Sequence, residues 1–159
     1  MDTMTAMSEQ QPLFNIEKVY LKGLSLEIPH APQVFTEKAA PKVDINLHNE
    51  ARAIDNGLYE VVLTATVTAK LQEKTVFLVE VAQAGIFQIH GVQTQDFEAL
   101  VNVECPRALL PFARETVSTV LSRAGFPPVF LPHVGFETIY QKRVQEQQQA
   151  GAAPAPLRT

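Results

Sequence analysis

Cysteine, tryptophan, histidine and glycine are scarce in this sequence, and their scarcity excludes several kinds of site. The 159 residues include one cysteine, no tryptophan, four histidines and seven glycines. The single cysteine, Cys105, cannot form an intrachain disulfide, which is typical of proteins from a reducing compartment. No two histidines have metal-ligand spacing, and the isolated glycines form no phosphate-binding loop. We therefore expect no metal site and no cofactor.

Positive charge is scarce as well. The chain has 13 Lys and Arg residues against 17 Asp and Glu residues, a formal net charge of −4, and no basic cluster. Because nucleic acids and anionic membranes attract basic faces, we expect neither as a partner. The apolar runs are far shorter than the ~20 residues of a membrane helix, and the first residues lack the features of a signal peptide. We therefore predict a cytoplasmic protein without direct membrane insertion.

Both ends of the chain are predicted to be disordered, and the residues between them to form one domain. Residues 1–12 are polar and show no hydrophobic period. Residues 149–159 are low in complexity. The chain is 46% hydrophobic, which at this length is enough to bury a core. The predicted domain therefore spans residues 13–148.

Residues 58–91 carry the strongest secondary-structure signal, that of two long strands joined by a short polar turn. Apolar and polar residues alternate along the first strand, as they do in a sheet with one buried face. The second strand is apolar on both sides. This pattern indicates that part of the sheet surface serves a partner or an apolar ligand.

The length of the turn decides which residues of this hairpin share a face. A two-residue loop would place Ala65 opposite Glu80. A three-residue loop, Gln72–Lys74, places Ala69 opposite Phe77 and gathers the apolar residues on one face. Since register follows the hydrophobic pattern, we predict the three-residue loop. It leaves three residues on the opposite, polar face: Val76, Leu78 and Glu80.

Two further strands are predicted before the hairpin. The first covers Phe14–Ile28, with a bulge or bend at Gly23. The second is short, alternates over residues 43–47, and is followed by an Asp-Asn-Gly turn signal at residues 55–57. Between the two strands, residues 29–41 contain three prolines. They cannot form a central strand or a helix interior, so we predict an extended crossover.

The last part of the chain has the hydrophobic period of helices. A short helix is predicted over residues 94–104, with Thr94 as its N-cap. A longer helix covers residues 105–125, in which Pro111 either bends the helix or marks its true start. A last helix covers residues 135–148. Strands followed by helices predict an α+β fold, a four-stranded antiparallel sheet with helices packed on one face.

Two features suggest catalysis, and both have a simpler explanation. Cys105 precedes Pro106 at a helix start, where the helix dipole favours a thiolate, yet a small buried residue at such a turn is more common. Glu27 and Glu80 would form a carboxylate pair if their strands were close, but solvated acids are usual on a sheet face. We therefore predict no catalytic residue and no enzyme.

Apolar residues are in surplus in the crossover and in the extended connector that follows the long helix. Core packing must account for most of them. Val34 and Phe35 in the crossover and residues 129–131 in the connector nevertheless lie beside prolines in extended segments. Such segments are able to form the walls of an apolar groove. The strand that is apolar on both sides likewise indicates burial in an oligomer.

Six short blocks occur in a specific order and combination: Tyr59–Leu63, Val67–Ala69, Gly85–Phe87 with Gly91, Cys105–Pro106, Leu110–Glu115 and Phe126–Pro127. In this combination the sequence resembles the SecB family of bacterial protein-export chaperones. The similarity runs in order over Phe14–Gln148, nearly the whole predicted domain.

The resemblance implies a fold, an assembly and an activity. The fold is a four-stranded antiparallel sheet with helices on one side, and the assembly is a homotetramer built as a dimer of dimers. The activity is that of an ATP-independent holdase, which keeps unfolded precursor proteins translocation-competent and delivers them to the SecA translocation motor. The implied partners are therefore unfolded precursors, SecA and further copies of this chain.

The resemblance also implies three sets of site residues. The docking site for SecA corresponds to Glu27, Leu78 and Glu80. The tetramer interface corresponds to Val79, Val81 and Gln83, on the opposite side of the same strand. The apolar groove for unfolded substrates corresponds to Phe35, Ile45, Leu47, Phe136 and Tyr140.

The sequence departs from the family pattern at three positions. Gly23 stands where an acidic residue is common, Ala39 where a large aromatic is common, and Gly135 where the family has asparagine. The first two changes imply a different SecA docking site and a shallower groove, and the third removes an N-cap. Two other functions remain open: a SecB-like cytosolic holdase of a stress system, and an α+β protein that binds a small apolar ligand between sheet and helices.

Overall fold

The computed structural model describes residues 11–152, and their strands form one antiparallel sheet. The strand order is β1-β4-β3-β2, so that the first two strands of the sequence lie at the two edges. This confirms the predicted four-stranded antiparallel sheet. The strands are β1 (Leu13–Glu27), β2 (Lys42–Asp55), β3 (Leu58–Leu71) and β4 (Lys74–His90).

Helices follow the sheet in sequence. They are α1 (Thr94–Ala99), a π-helical segment (Leu100–Glu104), α2 (Cys105–Arg123) and α3 (Phe136–Ala152). The crossover between β1 and β2 is not extended throughout as predicted, because it contains turns and a short 3-10 helix, Gln33–Thr36. Helix α2 packs on the two central strands, β3 and β4. We call the sheet face beneath α2 the inner face and the opposite one the outer face.

The core lies between the inner face and α2. Every second residue of β3 is fully buried there: Val61, Leu63, Ala65, Val67 and Ala69. Helix α2 supplies residues at helical spacing that are also fully buried: Leu109, Ala113, Val117 and Leu121. Full burial of each Val or Leu side chain contributes roughly 1.5–3 kcal/mol. The alternation of β3 and the period of α2 therefore explain why these two elements meet.

The β3–β4 hairpin has the predicted register but a shorter loop. Ala69 pairs with Phe77 as predicted, yet Leu71 pairs with Lys74, so that the loop has two residues rather than three. A bulge at Lys70, which pairs with Thr75, leaves Val76 as the extra residue and restores the register. Val76 is therefore buried at 3% exposure, and its predicted place on the polar face is wrong.

Strand β2 is longer than predicted. The short strand over residues 43–47 continues to Asp55, because residues 48–53 pair with β3. Among residues 48–53 only the small Ala51 and Ala53 are apolar, so their own pattern is a weak strand signal, and the pairing with β3 defines this part of the strand. The predicted Asp-Asn-Gly turn follows, with Gly57 at a φ of 74° and the Asn56 N–H donating to the Asp55 Oδ1 at 2.7 Å.

The ends of the helices agree with the predictions in part. Helix α2 ends as expected, with Gly125 at a φ of 94° and the Phe126 N–H donating to the Leu121 carbonyl at 3.0 Å. Pro111 lies inside α2, so it does not mark the start of the helix. Thr94 is the first residue of α1, and Gln93 takes the N-cap position without a side-chain hydrogen bond.

Helix α3 continues past the predicted end at Gln148 as far as Ala152, because glutamine and alanine are good helix formers. Most of the predicted N-terminal arm, residues 1–10, and the end of the predicted tail, residues 153–159, lie outside the described residues. Among residues 11–152, no helix is long and apolar enough to cross a membrane.

Candidate functional site

Edge strand β2 presents a row of side chains on its inner face beyond the cover of α2. The row begins with Val43, continues through Ile45 and Leu47, which are half-buried, and ends at Asn49. Alternation along the strand directs all four side chains to the same side. Two pockets adjoin this row, one near each end, so that β2 forms the floor of a mostly apolar groove.

The first pocket lies between the crossover and the connector that follows α2, and has a volume of about 320 Å³. Three phenylalanines pack at it, with ring centroids 5.1 Å apart for Phe35 and Phe126 and 4.9 Å apart for Phe77 and Phe126. Phe35 remains 49% exposed, so part of its ring is open to a ligand. The lining residues that complete the apolar wall include Val34, Pro41, Val43, Pro127 and Val129.

The second pocket lies between β2, the π-helical segment and α3, and has a volume of about 90 Å³. Its apolar lining residues are Leu47, Leu63, Val134, Phe136, Ile139 and Tyr140, and its polar ones are Asn49, Asn102 and Arg143. Burial raises the pKa of the Tyr140 phenol, and Glu98 raises it further. The hydroxyl of Tyr140 therefore stays protonated and can donate or accept a hydrogen bond.

The predicted groove residues are all found along this one side of β2. Phe35 lies at the first pocket, Leu47, Phe136 and Tyr140 lie at the second, and Ile45 lies on β2 between them. Sequence reasoning missed Phe77, Phe126 and Asn49. The apolar connector gave a signal for Phe126, whereas nothing in the local sequence distinguished Asn49.

The outer face carries the three residues predicted for docking. Glu27 on β1 pairs directly with Leu78 on β4, and Glu80 lies one step further along the same face. Glu27 and Glu80 are exposed and Leu78 is half-buried. Gly23 pairs with Ala82 in the next part of this face, so that a smooth, uncharged strip adjoins the two acids. The three residues therefore form one exposed acidic and apolar surface, which we call the docking face after the role predicted for it.

A network of charged and polar side chains occupies the other end of the outer face. Glu60 on β3 is only 5% exposed and accepts hydrogen bonds from Lys22 at 2.7 Å, from Arg52 at 2.9 Å and from the phenol of Tyr20. The hydrogen bonds from Lys22 and Tyr20 lower the pKa of Glu60 to about 2. Burial, together with Glu60, raises the pKa of Tyr20 to about 12. Sequence reasoning did not identify this network.

The residues predicted for the tetramer interface lie on the inner face, opposite the docking face as expected. Val79 and Val81 are fully buried within the chain, and Gln83 is nearly so. The Gln83 Nε2 donates to the Tyr20 carbonyl at 3.1 Å. Because these side chains contact the chain's own core, they cannot touch another copy directly. Any influence on assembly must act through the elements that cover them.

Strand β1 has no partner strand on its outer edge among the described residues. Six of its apolar side chains are between 37% and 47% exposed: Leu13, Phe14, Ile16, Leu21, Leu24 and Leu26. A long apolar edge strand of this kind is a ready surface for pairing with another chain. This surface is exposed, whereas the inner face of β4 is buried within the chain.

The candidates for catalysis do not form an active site. Cys105 is fully buried, and burial, with a contribution from Glu104, raises the pKa of its thiol to about 12, so the nucleophilic thiolate is absent near neutral pH. Glu27 and Glu80 are exposed on the outer face of the sheet. Within residues 11–152, no group of three His, Cys, Asp or Glu side chains could hold a metal ion.

The fold is that of a SecB-like chaperone. A solved structure of a SecB-like chaperone from Mycobacterium tuberculosis, in complex with a peptide from the HigA1 antitoxin, superposes on this chain with a TM-score of 0.63. The two sequences are 20% identical, and the match covers 76% of this chain and 90% of the other. At this identity the likeness concerns the fold.

Closer relatives define the family. The family described as preprotein translocase subunit SecB matches residues 7–147. The protein-export protein SecB of Methylobacillus flagellatus is 55% identical over 96% of this chain and 97% of its own length. The protein of the same name from Chromobacterium violaceum is 53% identical over 94% of this chain and all of its own length. The chain belongs to the SecB family of protein-export chaperones.

Proposed function

We propose that this chain is an ATP-independent holdase of the cytoplasm that binds unfolded precursor proteins and delivers them to the SecA translocation motor. The observation that supports this most directly is the groove along β2, with an apolar pocket near each end and a partly exposed Phe35. An extended unfolded segment fits such a groove better than a compact small molecule, because the apolar surface is long and open.

The groove accounts for binding without a nucleotide. Each apolar client side chain buried there contributes roughly 1.5–3 kcal/mol, offset by the cost of ordering the client. One groove therefore binds modestly, and an unfolded chain leaves it readily. Several grooves on one assembly raise the overall affinity, because a client that dissociates from one groove remains at high local concentration near the next. Release then needs only a competing partner and no chemical step.

Suppression of aggregation tests the holdase activity. Stoichiometric chaperone is expected to reduce light scattering by an unfolded precursor, without ATP. Phe35→Ser is expected to weaken the suppression, because it removes an exposed wall of the first pocket. Phe130→Ser is the matched control, since Phe130 is 67% exposed and does not line that pocket. Unchanged scattering with the wild-type chain would contradict the holdase proposal.

The docking face is the proposed site for SecA. Two exposed carboxylates beside Leu78 suit a partner surface that is basic with an apolar patch. Charge reversal, Glu27→Lys with Glu80→Lys, is expected to abolish most SecA binding and leave client binding nearly unchanged. Glu50→Lys is the control, because Glu50 is an exposed acid on the same face but lies away from Leu78.

The outcomes of the SecA experiment separate two functions. Loss of SecA binding with retained client binding supports two distinct sites. Equal loss of both would argue against separate sites. A wild-type chain that holds clients but never binds SecA would favour a SecB-like holdase of a stress system.

We also propose a homotetramer, arranged as a dimer of dimers. The exposed apolar edge of β1 supports pairing between copies. Val79, Val81 and Gln83 would affect the assembly indirectly, by setting the position of α2 above the sheet. Native mass is the measurement, and a particle near four times 17.6 kDa is expected. A monomer would contradict both the assembly and the multivalent binding described above.

A further inference from the structure

Asn49 on β2 is held in one orientation by the π-helical segment. The Cys105 N–H donates to the Leu100 carbonyl. It therefore does not donate to the Val101 carbonyl, which would be its acceptor in an α-helix. Pro106, the π-helical partner of Val101, has no N–H to donate. The Asn49 Nδ2 supplies the missing donor, and its hydrogen bond to the Val101 carbonyl is 2.9 Å long.

This hydrogen bond determines where the other end of the amide points. If the amide were rotated by half a turn, its oxygen would meet the Val101 carbonyl oxygen and the two acceptors would repel. The Asn49 Oδ1 therefore faces away from Val101. It is buried, and it has no hydrogen-bond partner among the residues that the structure describes. A buried acceptor without a donor is unfavourable and calls for an explanation.

The surroundings of Asn49 fit a ligand with an N–H group. Asn49 lines the second pocket, whose walls are mostly apolar, at the end of the row formed by Val43, Ile45 and Leu47. The amide of Asn102, another lining residue, already donates to the Glu98 carbonyl at 2.7 Å. Asn49 thus places one hydrogen-bond acceptor at the end of an apolar groove.

We propose that the Asn49 Oδ1 anchors a client by accepting a hydrogen bond from one of its main-chain N–H groups. The proposal rests on the holdase function and names the chemistry of its groove: an extended, apolar peptide segment held at one backbone amide. Every residue except proline carries this donor, so the anchor does not restrict client sequence. It does set the position of the client along β2, because only one amide can reach Asn49.

The client reaches this anchor by displacing side chains, without moving a helix or a strand. The pocket wall beside Asn49 includes two exposed side chains of α3, Ile139 and Arg143. Exposed side chains change rotamer within nanoseconds. A peptide that replaces them above Asn49 buries its own apolar groups against Leu47 and Phe136. The exchange therefore leaves the core beneath α2 intact.

Backbone methylation provides the test. One nine-residue apolar peptide is made as a series, in which each member is N-methylated at a different backbone amide. The series is titrated against the assembled wild-type protein and against Asn49→Leu. We expect methylation at one particular amide to weaken wild-type binding about tenfold, because a hydrogen bond is lost in a site shielded from water. The same methylation is expected to change the affinity of Asn49→Leu by less than about twofold.

Asn46→Leu is the matched control, because Asn46 lies on the same strand but on the outer face. Asn46→Leu is expected to lose affinity on methylation of the same peptide amide as the wild type does. A measurement on the wild type also covers the case in which Asn49→Leu does not fold. Binding of the unmethylated peptide is expected to shift the ¹³Cγ resonance of Asn49, and not that of Asn46.

The outcomes distinguish this inference from the proposed function. Peptides that bind the wild type with no sensitive amide, or with equal losses in both variants, would overturn the anchor and leave the holdase proposal standing. Failure of every unmethylated peptide to bind the wild type would overturn both.

Discussion

Lys22 and Glu60 join strands that are not neighbours in the sheet. Lys22 on β1 donates a hydrogen bond of 2.7 Å to Glu60 on β3, across the intervening strand β4. Tyr20, which pairs with Ala84 on β4, donates to the same carboxylate. Arg52 on β2 reaches the same carboxylate from the other edge. One buried acid thus connects both edge strands to the centre of the sheet.

The Glu60 carboxylate is predicted to make stability depend on acid pH. Its folded pKa is lowered to about 2 from 4.5, so its contribution is fully present above pH 4.5 and is lost as the pH falls towards 2. Glu60→Gln is expected to lower the free energy of unfolding at pH 7 by about 1–2 kcal/mol, since the exposed ends of Lys22 and Arg52 weaken the pairing.

Urea denaturation at a series of pH values checks the Glu60 prediction. The wild-type protein is expected to lose more stability than Glu60→Gln between pH 5 and pH 3, because only the wild type has this carboxylate to protonate. Glu73→Gln, at an exposed turn position, is the control and is expected to behave like the wild type. If the free energy of unfolding falls equally for Glu60→Gln and the wild type between pH 5 and pH 3, Glu60 is not the group responsible.

Tyr20 is predicted to act in the opposite pH range. Its folded pKa is raised to about 12 from 10, so the neutral phenol stabilises the fold below pH 10 and this contribution is lost as the pH rises towards 12. Tyr20→Phe is expected to cost about 1 kcal/mol at pH 7 through the lost hydrogen bond. It is also expected to reduce the loss of stability between pH 10 and pH 11 in urea titrations. If Tyr20→Phe loses as much stability as the wild type between pH 10 and pH 11, another group is responsible.

Cys105 is predicted to be chemically inert in the folded protein. It is fully buried, and burial raises the pKa of its thiol to about 12. A disulfide reagent at pH 8 is expected to react with less than one thiol in a hundred chains over minutes, and with every chain in denaturing urea, because the thiolate is the reactive form. Rapid reaction of the native protein would show that this part of α2 opens readily.

Gly57 is predicted to be essential for the close approach of the β2–β3 turn to His90. Its φ of 74° is unfavourable for other residues, and a Cβ atom there would collide with the His90 ring. Gly57→Ala is expected to destabilise the fold by about 2 kcal/mol or more. The double variant with His90→Ala should recover part of this loss, since only the backbone strain remains. Thermal unfolding of the wild type, the two single variants and the double variant gives the coupling energy between positions 57 and 90. Destabilisations that simply add would contradict the contact.

The hairpin shows why register was predictable and loop length was not. The apolar residues of β3 and β4 had to share one face, which defined the pairing of Ala69 with Phe77. Two loops satisfy that pairing, one with three residues and one with two residues and a bulge. The choice depends on how Val76 packs, and Val76 is buried near residues of the crossover such as Val34. A pattern within the hairpin contains no information about that contact.

The groove shows the same division between local and distant information. Ile45 and Leu47 were predictable, because alternation in a short strand places them together on one face. The extension of β2 to Asp55 was not, because the added residues are defined by hydrogen bonds to β3 and not by their own pattern. Alternation places Val79 and Val81 on the inner face, but it does not reveal that they are covered within the chain.

The sequence by itself determined the family, the order of the elements, the faces of the central strands and the end of α2 at Gly125. The family follows from the resemblance of six sequence blocks, whereas the elements and their faces depend on residues close in the chain, through alternation, helical period and the freedom of glycine. The tertiary structure alone decided the contacts between distant residues, including Lys22 with Glu60 and Asn49 with Val101. Such contacts require two elements to meet at a particular register and distance, which no local pattern specifies.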